Sequence, residues 1–272
     1  MRLEKKLIQM VEEDQGLKDI TTDFTPNMRV RAEIISNEEC TVAGISILKT
    51  LFKIFNIDVI NSANEGDMIK KGERVFILDG SSHDILLVER TALNILSRMS
   101  GIASLTKEYV KMAKNVKIAA TRKTTPLFGY FEKEAVRIGG GDTHRFGLYD
   151  CVLIKDNHLK LFKDVSDAIR KARENTSFTH KIEIEVNNTR DAIESAKSDV
   201  DIILLDNMNP SEIMETISKL SENGLRDKVI IEASGNINLN NIDEYIKTGV
   251  DIISIGRLTH SAPAKDFSLR IL

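Results

Sequence analysis

Cationic and imidazole side chains are concentrated between Thr121 and His158, in a stretch that also contains a glycine turn. Its candidate groups are Arg122, Lys123, His144, Arg145 and Lys155, and its turn is Gly139–Gly141. A guanidinium group binds a carboxylate through two parallel hydrogen bonds, whereas a lysine offers a mobile point charge. The stretch therefore predicts a pocket for a small polyanion. A surface salt-bridge network is the alternative interpretation of the same residues.

Short apolar segments alternate with amphipathic ones after Gly101, which is the pattern of parallel βα units. The predicted strands are 116–121, 150–154, 181–186, 201–205, 228–233 and 250–255. The predicted helices are 127–138, 159–174, 189–198, 210–222 and 240–248. In a (β/α) barrel, catalytic residues lie at the carboxyl ends of the strands, where the following loops meet.

Residues capable of chemistry, or of close backbone approach, follow nearly every predicted strand. They are Arg122, Lys123, Lys155, Glu185, Asp206, Ser234, Gly235 and Gly256. Because the carboxyl ends of barrel strands meet at one mouth, this series predicts one shared site.

Two carboxylates at these strand ends predict a magnesium site. Side chains alternate along a strand, so Glu183 and Glu185 share the face opposite Ile184, and Asp206 shares its face with Leu204. Glu185 and Asp206 then reach the mouth, while Glu183 lies deeper and requires a cation or hydrogen-bond partner. Carboxylates without clustered His or Cys suit Mg²⁺ rather than Zn²⁺. The alternative is that both carboxylates pair with nearby Lys and Arg.

The last two strands predict a phosphate cradle. EASGNI (232–237) and SIGRLTH (254–260) each place a glycine between a strand and a following helix. Glycine allows backbone N–H groups to approach a phosphate, and phosphate sites after the last barrel strands are recurrent. Turns that need glycine for backbone reasons alone are the alternative.

Composition excludes several classes of protein. The 272 residues carry a formal net charge of −3, whereas nucleic-acid-binding proteins usually have a basic surplus. Cys40 and Cys151 show no metal-ligand spacing and predict reduced thiols in a cytoplasmic protein. No stretch approaches a membrane span, and the charged N-terminal sequence does not resemble a signal peptide.

The first hundred residues show a different pattern of predicted helices and strands. Helical periodicity over 3–13 is followed by a strand, a turn and a helix within 28–60. Residues 64–80 predict a compact β hammerhead punctuated by Gly66 and Gly72, and 85–106 predict a long helix. Arg90 in that helix is, taken alone, a solvated or salt-bridged side chain.

Six motifs together resemble the quinolinate phosphoribosyltransferase family over nearly the whole chain. They are TRKTTP (121–126), AVRIGGGDTHRFGLYD (135–150), LIKDNH (153–158), LLDNM (204–208), EASGNI and GRLTHS (256–261). The resemblance implies an α/β fold: an N-terminal α/β sandwich (1–100) and an incomplete, seven-stranded α/β barrel (101–261). The tail 262–272 is expected to pack back on the sandwich.

The resemblance also implies an activity. Members of the family join quinolinate to the phosphoribosyl group of phosphoribosyl pyrophosphate with Mg²⁺, giving nicotinate mononucleotide, pyrophosphate and CO₂ in NAD biosynthesis. Their active sites form across a homodimer, and a hexamer made of three dimers is a further expectation. A membrane or nucleic-acid partner is not expected.

Residue by residue, the resemblance assigns roles to the matching positions. The dicarboxylate and nearby phosphates would be held by Thr121, Arg122, Lys123, His144, Arg145 and Lys155. Glu185 and Asp206 would serve Mg²⁺, directly or through water, and the ribose hydroxyls. The 5′-phosphate would be held by Ser234, Gly235, Asn236, Ile255, Gly256 and Arg257, with His260 as a further substrate-binding residue. Lys123, Lys155, Glu185 and Asp206 are the catalytic candidates, and Arg90 would reach the partner subunit's site.

The chain departs from the family pattern after Pro126, where Leu127-Phe128-Gly129-Tyr130 replaces a run with Gly and a nearby Arg. Ala120 stands where Asp is common, and Asp142-Thr143 precede His144 where Asn often occurs. Two alternative functions remain open at this point. One is a related phosphoribosyltransferase that uses nicotinate or another base, and the other is a non-catalytic barrel that senses a nucleotide.

Overall fold

The computed structural model describes residues 3–272, which divide into two units. The first unit contains the described residues up to Lys107 together with Arg137–Gly139 and Ala262–Leu272. The second contains Glu108–Val136 and Gly140–Ser261. The predicted site residues other than Arg90 all belong to the second unit.

The first unit is built on a four-stranded antiparallel sheet flanked by helices. Its elements are α1 (Leu3–Gln15), β1 (Arg29–Ser36), β2 (Cys40–Thr41), α2 (Ile45–Ile54), β3 (Asp58–Ser62), β4 (Met68–Ile69), β5 (Arg74–Ser81), the first part of α3 (Ser82–Ala113) and the C-terminal β12 (Phe267–Ile271). The order in the sheet is β12-β1-β5-β3, so the C-terminal strand pairs with the first strand of the chain. Phe52 of α2 meets Phe76 of β5 edge to face in the buried core, with ring centroids 5.3 Å apart.

The two short strands predicted within residues 64–80 are present as β4 and β5. β2 pairs with β4 in a small second sheet, and Gly66 and Gly72 both have positive φ, 83° and 84°, at the turns on either side of β4. Glycine takes this backbone conformation without steric cost, which explains why glycine stands at both turns.

α3 is longer at both ends than the predicted 85–106, and the boundary between the units falls inside it, after Lys107. Its apolar positions Ile85, Val88, Leu96 and Met99 are fully buried. Charged residues such as Arg90 and Arg98 interrupt the apolar face. Within residues 3–272, no helix is long and apolar enough to cross a membrane.

The second unit contains a six-stranded parallel sheet whose strands alternate with helices. Its strands are β6 (Lys117–Ala119), β7 (Val152–Ile154), β8 (Ile182–Val186), β9 (Ile202–Asp206), β10 (Ile230–Ser234) and β11 (Ile252–Ser254). Its helices are α4 (Gly129–Ile138), α5 (Asp156–Leu159), α6 (Val165–Asn175), α7 (Thr189–Lys197), α8 (Pro210–Glu222), α9 (Ile242–Ile246) and α10 (Arg257–His260). All six predicted strands are present; five are shorter than predicted by one to three residues, and β9 keeps its predicted length but is shifted by one residue.

The strand order is β6-β11-β10-β9-β8-β7, and Asp142 adds a parallel bridge to Ala119 on the free edge of β6. A single bridged residue thus stands where a seventh barrel strand is expected. No strand pair in the described chain joins this segment to β7, which makes the barrel incomplete. The expected fold class, a sheet domain followed by an incomplete α/β barrel, is confirmed.

Two further helix predictions were wrong in their limits for a local reason, and α9 is shorter than the predicted 240–248. The predicted helix 159–174 is two helices, because Asp164 adopts an extended backbone and its side chain accepts a hydrogen bond from the Asp167 amide, which starts α6. The helix predicted from Leu127 begins at Gly129, because Leu127 itself is in the left-handed region with φ of 62°.

Candidate active site

A cavity of about 290 Å³ lies at the carboxyl ends of the strands of the second unit. It is lined by Ala120, Thr121, Arg122, Lys123, His144, Arg145, Leu153, Lys155, Glu185, Leu204, Asp206, Glu232, Ser234 and Ser254. Nine of these are residues that the sequence marked for substrate or metal, and every strand of the sheet contributes its end or the residue after it. The structure therefore brings the predicted cations and the predicted carboxylates into one cavity.

The remaining site predictions in this unit lie in the turns after β10 and β11. Gly235 has φ of 97°, and Asn236 donates from Nδ2 to Oδ1 of Asn207 at 3.0 Å. A Cβ at Gly256 would lie 3.1 Å from Cδ of Lys123 and 3.2 Å from Nε2 of His260, so this glycine stands directly beside both.

Three predicted residues differ in their surroundings. Ile255 has a buried side chain, so only its backbone can contribute to a phosphate site. Arg257 is exposed at the start of α10. Arg90 is exposed on α3 in the first unit.

His144 lies between two buried carboxylates at the floor of the cavity. Its Nε2 is 3.4 Å from Glu183 and 3.3 Å from Glu232, whose side chains are 0% and 1% exposed. Burial alone lowers the pKa of His144, but the hydrogen bonds and charges of Glu183 and Glu232 outweigh it and raise the pKa to about 10. Burial likewise raises the pKa of Glu183. A protonated His144 is the cation that the deep carboxylate Glu183 requires.

His144, Glu183 and Glu232 also have the spacing of metal ligands, and theirs is the one such cluster found in the described residues. The backbone N–H of Arg145 lies 2.8 Å from Nδ1 of His144, which can accept this hydrogen bond in the neutral ring but not in the imidazolium, where both nitrogens carry protons. In the neutral ring, the remaining proton is then on Nε2, the atom that faces the carboxylates. Since Nε2 carries a proton in the neutral and in the charged ring alike, the cluster suits an ion pair and not a metal.

Arg145 is 8% exposed and forms part of the same floor. Its Nη1 donates to the carbonyl of Cys151, the residue just before β7, at 3.2 Å. Burial, followed by the charge of Arg122, lowers the pKa of Arg145. Two guanidinium groups in one cavity repel each other, and a bound dianion relieves this repulsion.

Elsewhere in the cavity, Lys155 donates to Oε2 of Glu185, and Nδ2 of Asn207 donates to Oδ2 of Asp206 at 2.7 Å. Glu185 and Asp206 come from neighbouring strands, β8 and β9. They offer oxygen ligands, which suit Mg²⁺ as the ion prefers hard donors and retains waters. The alternative to a magnesium site was that Glu185 and Asp206 pair with nearby Lys and Arg. The Lys155–Glu185 ion pair fits that alternative for one of the two carboxylates.

Sequence reasoning missed Glu232 and Ser254 on the cavity wall. Glu232 stands in the apolar run VIIEAS, and a charged residue inside a buried strand was the same signal that identified Glu183. In the sheet, Glu232 pairs with Leu204 of β9 on one side and with Ile252 of β11 on the other, so it stands on an inner strand.

Comparison with known proteins decides the family. The family model described as quinolinate phosphoribosyl transferase, C-terminal domain, matches residues 102–270, and the corresponding N-terminal domain model matches residues 19–100. The chain belongs to the quinolinate phosphoribosyltransferase family. The resemblance recognised in the sequence motifs is thereby confirmed.

Full-length relatives agree with this family assignment. The chain is 48% identical over 269 residues to a probable carboxylating nicotinate-nucleotide pyrophosphorylase of Methanothermobacter thermautotrophicus, covering 97% of this chain and 96% of the relative. It is 48% identical over 251 residues to the same-named protein of Archaeoglobus fulgidus, covering 91% and 96%. The crystal structure of nicotinate-nucleotide pyrophosphorylase from Ehrlichia chaffeensis superposes with a TM-score of 0.93 at 36% identity, covering 100% and 99%.

Proposed function

We propose that this quinolinate phosphoribosyltransferase family member transfers the phosphoribosyl group of phosphoribosyl pyrophosphate to quinolinate. Loss of the 2-carboxylate as CO₂ then gives nicotinate mononucleotide and pyrophosphate, a step of NAD biosynthesis. The observation that supports the proposal is the cavity itself. Its lining combines four cationic or imidazole side chains with two carboxylates of β8 and β9: Arg122, Lys123, His144, Arg145, Glu185 and Asp206.

The cationic half of the cavity suits a pyridine with two adjacent carboxylates. Arg122 and Arg145 supply guanidinium forks, and protonated His144 adds a positive charge beside them. A ligand with one carboxylate would leave part of this charge uncompensated, which favours quinolinate over nicotinate.

The other half suits ribose and phosphate. Glu185 and Asp206 would hold Mg²⁺, directly or through water, and would lie near the ribose hydroxyls. The ion neutralises charge on the departing pyrophosphate when it is bound. Ser234, Gly235, Asn236 and Gly256 surround the turns where the 5′-phosphate would lie.

The chemistry requires positioning and charge rather than a covalent intermediate. As the C1′–oxygen bond to pyrophosphate breaks, positive charge develops on the ribose, and Glu185 and Asp206 stabilise it. Lys123 and Lys155 neutralise the leaving pyrophosphate and the substrate carboxylate. The pyridine nitrogen forms the new bond to C1′, and the resulting pyridinium accepts the electron pair released when the C2–carboxylate bond breaks. A proton then replaces CO₂ at C2.

We further propose that the chain acts in the cytoplasm as a homodimer whose active sites are shared, with a trimer of dimers as a larger possible assembly. Arg90 is the residue assigned to the partner's site, and its exposure on α3 is compatible with this role. We also propose that the chain forms two domains, a sandwich (1–100) and a barrel (101–261). The tail 262–272 would pack on the sandwich.

A turnover assay tests the function. Purified protein, Mg²⁺ and phosphoribosyl pyrophosphate are mixed with quinolinate or with nicotinate, and the mononucleotide and CO₂ are quantified. We expect turnover and stoichiometric CO₂ with quinolinate. Turnover with nicotinate alone would replace the proposal with the related transferase, and binding without turnover of either base would favour the nucleotide sensor.

A further inference from the structure

Two buried charged residues of α4 contact the two loops that carry the cations, although neither lines the cavity. Glu132 is 0% exposed and Lys133 is 1% exposed. Consecutive helical positions point about 100° apart, so neighbours on one turn can reach different loops. Sequence reasoning assigned no role to either residue, since an adjacent Glu-Lys pair on a helix usually faces solvent.

Glu132 holds the loop that carries Arg122 and Lys123. Its Oε2 accepts from the backbone N–H of Thr125 at 2.9 Å, and its Oε1 accepts from the Thr125 hydroxyl at 2.9 Å. Both carboxylate oxygens therefore bind one residue, two positions after Lys123. Buried carboxylates with two such bonds fix the backbone they bind, because breaking either bond leaves a buried polar group unpaired.

Lys133 holds the loop that carries His144 and Arg145. Its Nζ donates to the carbonyl of Thr143 and, at 3.2 Å, to the carbonyl of Arg145, the residues on either side of His144. His144 itself has φ of 51°, a left-handed backbone that a non-glycine residue adopts only when its surroundings impose it. The two carbonyl contacts of Lys133 and the Asp142 side chain, which accepts from the His144 amide at 2.7 Å, impose it here.

Burying the charged side chain of Lys133 costs folding free energy, which indicates that its contacts have a specific role. Burial lowers the pKa of Lys133 to about 8, and the nearby cations Arg122 and Arg145 act in the same direction. A methionine of similar length would fill the same space without this cost. The contacts to backbone carbonyls on both sides of His144 are what methionine cannot provide.

We propose that Glu132 and Lys133 are positioning residues that hold the 121–126 and 142–145 loops at the spacing a dicarboxylate requires. One helical turn thereby sets the relative placement of Arg122 and Lys123 on one side and His144 and Arg145 on the other. The identity of the ligand rests on the proposed function, but the positioning is tested by binding and needs no turnover.

Phthalate is the probe, since it carries two adjacent carboxylates on a six-membered ring without the reacting nitrogen. Its affinity is measured by calorimetry for the full chain and for Glu132→Ala, Glu132→Gln and Lys133→Met. Ribose 5-phosphate is the second probe, because its phosphate belongs to the turns after β10 and β11 and not to these loops. Lys197→Met and Glu222→Ala remove the same charges from exposed helical positions and serve as controls.

We expect Glu132→Ala and Lys133→Met to weaken phthalate binding about tenfold or more, the effect of losing hydrogen bonds to a charged group. Ribose 5-phosphate affinity and both control variants should stay within about threefold of the wild type. Glu132→Gln keeps one accepting oxygen and should give an intermediate loss. Thr125→Val combined with Glu132→Ala should cost less than the sum of the single changes, because both remove the same contact.

The proposal is overturned if phthalate affinity survives both substitutions, or if it falls only in proportion to ribose 5-phosphate affinity, which would indicate general damage to the fold. A wild-type chain that does not bind phthalate would also overturn it. Phthalate binding with the expected losses, but without turnover of quinolinate, would reject the proposed function and leave the positioning role intact.

Discussion

At the residue scale, the central feature of the site is an imidazole between two carboxylates that have no access to solvent. Glu183 was predicted from strand alternation to be deep and in need of a cation, and His144 is that cation. Glu232 was not predicted, although its position in an apolar strand carried the same signal. The left-handed backbone at His144 was not predicted, because it depends on side-chain contacts of Asp142 and of Lys133 in α4 that the sequence pattern does not reveal.

Glu232→Gln should lower the pKa of His144. One of two carboxylates that favour the imidazolium is lost, while the burial that opposes it remains. Because the pKa is raised on folding, the stability contributed by His144 is fully present below about pH 6.5 and is lost as pH rises through about 10. In the variant this loss should occur at lower pH. Nuclear magnetic resonance titration of the His144 ring measures the shift, with exposed Glu222→Gln as the control, and an unchanged pKa would contradict the assigned ion pair.

Arg145→Ala should raise KM for quinolinate about tenfold or more, since a charge-assisted, two-pronged contact to a carboxylate is lost. Arg145→Lys should recover only part of the loss, because an ammonium group keeps the charge without the fork. Steady-state kinetics with each substrate varied in turn separate this effect from any change in phosphoribosyl pyrophosphate binding. Wild-type kinetics in Arg145→Ala would exclude Arg145 from the dicarboxylate site.

At the element scale, the strand ends were predictable because alternation and the βα pattern are local properties of the sequence. Lys155, Glu185 and Asp206 therefore stand at the carboxyl ends where they were expected. The break between α5 and α6 was missed because Leu161 and Phe162 continue an apolar pattern, although both remain partly or largely exposed. Helix α4 was predicted, but the burial of its Glu132 and Lys133 was not, and both side chains contact the loops directly before and after the helix.

Gly235→Ala should lower the free energy of unfolding for two reasons: the positive φ at this position and a steric clash of the new Cβ with Asn207. A Cβ there would lie 2.3 Å from Oδ1 and 2.8 Å from the backbone N of Asn207. Gly224 is the matched control, since it has φ of 65° and open space around its Cβ position. Gly224→Ala should cost about 1–2 kcal/mol of unfolding free energy from the left-handed backbone.

Gly235→Ala should cost more than the control and should also weaken ribose 5-phosphate binding, because Asn207 and Asn236 must move. Chemical denaturation and calorimetry of the two variants check this pair of expectations. Equal stability losses with unaffected phosphate binding in both variants would show that the turn after β10 serves the fold alone.

At the scale of the whole molecule, the motifs predicted the family and the fold class, since they are spread over nearly the entire chain. The residue boundary at 100/101 stays a prediction, because α3 continues through it and the two units meet within that helix, after Lys107. A helix that is continuous across a boundary gives no turn or proline signal by which sequence could locate it. The role proposed for Arg90 likewise stays a prediction, because it depends on an assembly of two chains.

Subunit mixing tests the shared active site. At quinolinate concentrations well below KM, Arg90→Ala and Arg145→Ala chains should each keep only a small fraction of wild-type activity. If Arg90 serves the partner's site, a mixed dimer places both substitutions in one site and leaves the other intact. Random reassociation makes half of the dimers mixed, so an equimolar mixture should recover about a quarter of wild-type activity.

The control is a mixture of Lys123→Ala and Arg145→Ala chains. Both residues line the same cavity, so every site in a mixed dimer carries one substitution and no activity should return. Recovery must also depend on exchange, appearing only after subunits are dissociated and reassociated together. If the Arg90→Ala and Arg145→Ala mixture stays inactive after verified exchange, Arg90 acts within its own subunit or not at all. The shared site would then have to be abandoned, while the cavity of the second unit would keep its assigned chemistry.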